Sequence, residues 1–215
     1  MYPFALALFL GVVVGRFSIW LAGHFVPDVL EALKKPSKRI SCYLVAFLTC
    51  YLLLQQFGVS VRSLCYVILL MLWLSVSLTD LCSFFIPDSL VLAGCVLFLF
   101  TARSESNPIP FLLHGFGYGC VLSGGMLLLS LCFDRIMKTE SMGGGDSKLL
   151  FMTGLYLSSF WELFFFLPLS SCLGILLAAI RREKRLPFGP AISAAGFLLL
   201  LYGEAMTVWY LGFFE

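Results

Sequence analysis

The segment Met142-Gly143-Gly144-Gly145-Asp146-Ser147-Lys148-Leu149-Leu150 sets a carboxylate behind three glycines at the mouth of an apolar run. A second carboxylate, Asp80, ends another apolar run in Thr79-Asp80-Leu81-Cys82-Ser83-Phe84-Phe85-Ile86-Pro87-Asp88. Carboxylates near a bilayer are costly, so two of them at equivalent depth are candidates for function rather than packing. Two aspartates that share a proton can hydrolyse a peptide, one taking a proton from water while its neutral partner hydrogen-bonds the scissile carbonyl. Paired intramembrane carboxylates can also serve a small proton-coupled transporter. Gly143 and Gly145 fit the first chemistry, because glycines let a peptide backbone approach the carboxylate closely. No Ser/Lys pair and no histidine cluster offers another nucleophile, and neither a cofactor nor a metal is expected.

These residues must be positioned by elements suited to lipid. Hydrophobic residues make up 60% of the 215-residue chain, charged residues only 12%, and 22 residues are Phe; the mean hydropathy is +1.00. A helix crosses the hydrocarbon layer with about 20 apolar residues, and such runs recur along the whole length. The pattern predicts an all-α, polytopic membrane protein of about eight helices, over 3–21, 42–57, 64–79, 89–101, 111–133, 149–159, 163–180 and 191–213. The fourth and sixth are short. No soluble domain is expected, and the first four residues lack the basic start of a cleaved signal peptide.

Charge placement orients these helices. Lys34, Lys35, Lys38 and Arg39 follow the first helix, Arg135, Lys138 and Lys148 lie between the fifth and sixth, and Arg181, Arg182, Lys184 and Arg185 lie between the seventh and eighth. Those eleven basic residues fall on one side, and only Arg62 and Arg103 fall in loops on the other. The positive-inside rule puts the basic loops in the cytoplasm and both termini outside. Asp80 and Asp146 then share the cytoplasmic side. The net charge of +2 is a topology signal, so no nucleic-acid partner is expected. The eight cysteines contain no Cys-x-x-Cys pair and read as small packing residues.

Simpler roles exist for the same side chains. Asp146 could cap a helix, Lys148 could snorkel from the interface, and Asp88, followed by Ser89, reads as the cap of the fourth helix. Glu162 and Glu204 read as loop or interhelical hydrogen-bonding residues, and His24 and His114 stand apart from any ligand cluster.

Three ordered signatures resemble those of bacterial prepilin peptidases, the leader-cleaving members of the GxGD aspartyl proteases. Asp80 stands eight residues before Asp88 of Ile86-Pro87-Asp88; Met142 to Leu149 matches Met-Gly-x-Gly-Asp-x-Lys-Leu; and Pro187-Phe188-Gly189-Pro190 matches a turn before the last helix. The resemblance covers roughly residue 40 to the C-terminus. It implies Asp80 and Asp146 as the catalytic pair, with Gly143, Gly145 and Lys148 as motif support. The implied substrates are type IV prepilins or type II secretion pseudopilins, each a short basic leader before a hydrophobic helix, cut after a glycine at the cytoplasmic face of the inner membrane. An archaeal-type preflagellin peptidase is the nearest alternative; the Pro-Phe-Gly-Pro turn favours the bacterial group.

The N-terminal part departs from that pattern. Long members carry a cytoplasmic loop with two Cys-x-x-Cys pairs, in the region associated with methylating the new N-terminus. Here residues 23–39 fill that space without a cysteine, and Ala46 stands where an acidic residue is expected. The expected organisation is a reduced methyltransferase region over 1–41 and a membrane peptidase domain over 42–215, with peptidase activity and no methyltransferase activity. The macrodipole of a helix favours an anion in its first turn and disfavours one in its last. Asp146, at a helix start, is therefore expected as the resting base and Asp80, at a helix end, as the proton-bearing partner.

Overall fold

A computed structural model describes residues 2–137, 143–181 and 186–212. Met142, Lys138, Arg182, Lys184 and Arg185 lie outside the described residues. The described residues form the helices α1 (Tyr2–Phe25), α2 (Pro27–Ala32), α3 (Pro36–Phe57), α4 (Val61–Ser83), α5 (Asp88–Arg103), α6 (Pro108–Met137), α7 (Gly144–Gly154), α8 (Phe160–Arg181) and α9 (Gly189–Leu211), joined by short connections. Six of these, all but α2, α5 and α7, are long and apolar enough to cross a membrane. At 1.5 Å per residue, α5 with 16 residues and α7 with 11 reach about 24 and 17 Å, short of the ~30 Å hydrocarbon layer.

Several helix starts lie earlier than apolar periodicity places them. Helix α3 begins at Pro36 rather than at residue 42, because proline is pre-organised for a first turn and its missing N–H costs nothing there. Its first turn, Pro36-Ser37-Lys38-Arg39, is helical without being apolar. The short α2 has no counterpart among the expected helices, since Asp28 and Glu31 interrupt its apolar pattern. Helix α7 begins five residues before the expected start and ends at Gly154 rather than at residue 159.

The chain divides into two compact units, residues 1–104 and 105–215. In the first, α4 is the central element, burying Leu69, Leu72, Trp73 and Val76. It opens on a capping box: the Ser63 N–H donates to Ser60 Oγ at 3.1 Å, and the Ser60 N–H donates to Ser63 Oγ at 2.9 Å. The preceding turn is closed by Gly58 at φ +64°, a backbone angle that suits glycine. Arg62 lies over the rings of Phe57 and Tyr66, 5.7 and 5.5 Å from their centroids. Helix α1 approaches α3 through Gly11 and Gly15, four residues apart. A Cβ at Gly11 would stand 2.6 Å from Phe47 Cα, the close backbone approach that small-xxx-small spacing permits between membrane helices. The Ser18 hydroxyl ties α1 to α4 by donating to the Met71 carbonyl at 3.1 Å.

In the second unit, α7 is wedged between α6 and α9, with Leu149, Leu150 and Met152 fully buried. Its C-terminal residue, Gly154, lies backbone-to-backbone on Gly119 of α6: a Cβ at Gly154 would be 2.7 Å from Gly119 Cα. Helices α8 and α9 pack through Trp161 and Phe165 against Tyr210, with ring centroids 5.1 and 5.4 Å apart. The buried Glu162 accepts a hydrogen bond from the Ser158 N–H at 2.6 Å, and its carboxylate occupies the space a Cβ at Gly203 of α9 would take. Of its expected roles, the loop hydrogen bond is the one observed, and its contact with α9 is one of packing.

Candidate active site

Asp80 lies in the last turn of α4 and is 4% exposed. Its backbone carbonyl accepts the Phe84 N–H at 3.0 Å, closing the helix with Phe84 in the left-handed region at φ 53°. That conformation ends the helix cleanly but is usually taken by glycine. Phe84 and Phe85 are exposed, whereas Ile86 and Pro87 are buried. This short connection leads straight into α5, whose N-cap is Pro87, with Asp88 as its first residue. Asp88 is therefore not the cap; it is an exposed acid in the first turn, where the helix dipole favours a negative charge.

Asp146 is the third residue of α7. Gly143 is the N-cap and makes no side-chain cap bond, and the Asp146 N–H donates to the Gly143 carbonyl at 3.1 Å. The simple reading of Asp146 as the N-cap is thereby corrected, because the glycines continue the helix by one turn and carry the aspartate into it. Partial positive charge from unpaired N–H groups at that end stabilises an ionised side chain. Gly143, Gly145, Asp146 and Lys148 are brought together on the opening turns of one helix. Asp80 belongs to the other compact unit.

Gly143 and Gly144 are not imposed by the described backbone. Gly143 has φ −72° and ψ 141°, which any residue adopts. A Cβ there would meet only Asp146 Oδ2 at 3.7 Å, and one at Gly144 would meet nothing within 4 Å. Gly143 and Gly144 put no side chain of their own before the carboxylate. Immediately after Asp146 the chain turns inward: Ser147 is buried, and its hydroxyl has no hydrogen-bond partner among the described residues.

Asp146 opens onto a cleft of about 350 Å³ lined by Met126, Leu129, Ser130 and Phe133 of α6 and by Leu186 and Phe188. Among the described residues that line it, all but Asp146 and Ser130 are apolar. Phe188 belongs to the Pro187-Phe188-Gly189-Pro190 turn and is the N-cap of α9. The turn therefore reaches the same cleft as the Gly-Asp motif, although more than forty residues separate them. Its ring rests on α8 at Gly174, where a Cβ would stand 2.9 Å from Phe188 Cε2. None of the α6 residues was singled out by sequence: they belong to a helix whose apolar pattern continues around all sides. The turn itself was visible as a motif, and that signal could have found Phe188.

Residues 65–179 match the profile of the type IV leader peptidase family. Among similar proteins is the prepilin leader peptidase/N-methyltransferase of Aeromonas hydrophila, 35% identical over 158 residues, covering 66% of this chain and 51% of that protein. The protein of the same name from Stutzerimonas stutzeri is 34% identical over 160 residues, covering 67% and 52%. That from Bacillus subtilis is 28% identical over 162 residues, covering 73% and 62%. The chain spans about half the length of the first two of these relatives. No solved structure matches it.

Proposed function

The chain belongs to the type IV leader peptidase family, and from that premise we propose that it is a membrane aspartyl endopeptidase removing the basic leader from type IV prepilins or type II secretion pseudopilins. The observation that supports this most is Asp146, presented by the first turn of α7 at the edge of an apolar cleft. A substrate with a charged leader and an apolar helix brings its junction to the boundary where such a carboxylate belongs.

Peptide hydrolysis needs a stronger nucleophile than water and a proton for the departing amine. In this reading Asp146 is ionised and takes a proton from the attacking water. Asp80 carries the shared proton and hydrogen-bonds the scissile carbonyl oxygen as charge develops there. Collapse of the tetrahedral adduct breaks the C–N bond, and the proton held by Asp146 passes to the amine. The dipoles of the two helices favour this division, since Asp80 lies in a last turn and Asp146 in a first turn. Gly143 and Gly144 place no side chain in front of the carboxylate, which suits the approach of an extended backbone, and Lys148, exposed on the next turn, supplies a charge at the interface. In this reading α5 and α7 carry the chain across the membrane despite their short lengths, so that the basic loops face the cytoplasm of an inner membrane, both termini face outward, and lipid surrounds the apolar helices. Residues 1–41 form a reduced methyltransferase region, and the remainder is the peptidase domain.

The test is cleavage of a purified substrate, carrying a basic leader before an apolar helix, by the protein in detergent. Processing should end after one glycine, be insensitive to chelators, and vanish in Asp80→Asn and Asp146→Asn. Chelator-sensitive cleavage, or cleavage that survives both substitutions, would refute the aspartyl mechanism.

A further inference from the structure

The Pro187-Phe188-Gly189-Pro190 turn has no part in water activation, yet its aromatic ring lies in the cleft beside Asp146. We propose that Phe188, braced on Gly174, is a specificity-determining residue: it forms the wall of the cleft that receives the first apolar side chain of the substrate's hydrophobic helix. The assignment rests on the peptidase reading and extends it to the side of the bond on which substrates are selected.

Three observations lead to it. First, the lining decides the chemistry of the occupant. In the peptidase reading Asp146 is occupied with water and the scissile bond, and the rest of the wall, Ser130 apart, is the apolar set Met126, Leu129, Phe133, Leu186 and Phe188. An apolar side chain is the fitting guest, and it comes from the helix side of the cut. Second, the cleft, about 350 Å³, has room for one bulky apolar side chain.

Third, the wall is fixed from behind. The ring edge of Phe188 touches α8 where Gly174 has no side chain, and a Cβ there would come within 2.9 Å of Cε2 and 3.2 Å of Cδ2. Gly174 is buried in the interior of α8, where alanine would be favoured over glycine by helix propensity. Its glycine is accounted for by the ring that rests on it. A methyl group at residue 174 would drive the ring toward the cleft and shrink it, while Phe188→Ala would enlarge it.

The experiment pairs Gly174→Ala with Phe188→Ala and measures kcat/KM on substrates that differ only in the residue after the cut: Ala, Leu, Phe or Trp. Relative to the unaltered protein, Phe188→Ala should raise the Trp-to-Ala preference about tenfold, and Gly174→Ala should lower it by a similar factor, in keeping with the discrimination small apolar volume changes produce. Damage to the fold would instead lower all four substrates together. Equal preference in all three proteins, or a shift in the same direction for both variants, overturns the assignment.

A second readout does not depend on turnover. The same peptide with a photoreactive leucine after the cut should crosslink to α6 between Met126 and Phe133 or to Leu186–Phe188 in the Asp146→Asn protein. Crosslinks confined to other helices overturn the cleft assignment even if the unaltered protein cleaves the peptide. Crosslinks at the cleft without any cleavage by the unaltered protein would uphold the binding site and refute the peptidase reading.

Discussion

Gly154→Ala should disable this protein without touching its carboxylates. The added Cβ would stand 2.7 Å from Gly119 Cα, 3.0 Å from Gly119 N and 3.1 Å from the Tyr118 carbonyl oxygen. All three neighbours are backbone atoms, so no side chain can rotate out of the way. Carbon atoms pack at about 3.5–4.0 Å, so α7 must move off α6 by about 1 Å. Overpacking of this kind costs about 1–3 kcal/mol of stability. Gly154 is the last residue of α7, so little helix propensity is regained in exchange. Asp146 lies eight residues back along the same helix, about 12 Å away, and a rigid helix carries the displacement to it.

A misplacement near 1 Å can reduce catalysis about 10²-fold, equivalent to about 2.7 kcal/mol of lost transition-state stabilisation. The assay is leader cleavage in detergent beside a thermal melt. Gly117→Ala is the internal control: it lies on the same helix two residues from Gly119, but a Cβ there meets nothing within 4 Å. It should cleave normally and melt no lower. Gly154→Ala cleaving within about threefold of the unaltered protein would refute the claim that this glycine contact sets the carboxylate's position.

Asp80→Asn and Asp146→Asn should each abolish cleavage with normal expression and insertion, whereas Asp88→Asn, at an exposed first-turn residue, should keep most activity; complete loss in Asp88→Asn would mean that the wrong aspartate of that motif has been chosen. Purified protein given S-adenosylmethionine and cleaved substrate should transfer no methyl group by mass spectrometry, and a methylated N-terminus would show that residues 23–39 suffice. Reporters fused after Arg39 and Arg185 should report cytoplasm and one after Arg103 the outside, while a cytoplasmic signal from the Arg103 fusion would break the topology.

What the sequence revealed follows from which forces are local. Motif residues that start a helix can announce it: the Ile-Pro-Asp after Asp80 marks the start of α5 to within one residue. Periodicity failed where first turns are polar, as at Pro36-Ser37-Lys38-Arg39, and where a helix is buried on most sides. Helix α7 is the clearest case, because it buries Ser147, Leu149, Leu150, Met152, Thr153 and Gly154, so neither its start nor its end shows as a change in hydropathy. Packing partners were not legible at all. Gly117 and Gly119 share a helix and a local sequence, yet only Gly119 lies against α7. The cleft escaped for the same reason: Met126, Asp146 and Phe188 come from three separate stretches of chain.

The shortness of α7 bears on how cleavage can proceed. An isolated helix of 11 residues is marginal in stability, so this one persists through contacts, and those contacts also immobilise it. Leu149, Leu150 and Met152 are fully buried, and Gly154 is pressed on α6 without room for a methyl group. The backbone that carries Asp146 is therefore held in place. Rigid mounting favours catalysis by a group that must meet water and a peptide bond in one geometry, and it transfers the conformational change to the substrate. In the peptidase reading the incoming helix opens at its end to present a peptide bond to that acid. Unwinding is least costly there, since the first four N–H groups of any helix already lack intrahelical partners. A rigid acid and a fraying substrate end together explain why a membrane peptidase of this kind would cut at the head of an apolar helix and not within it.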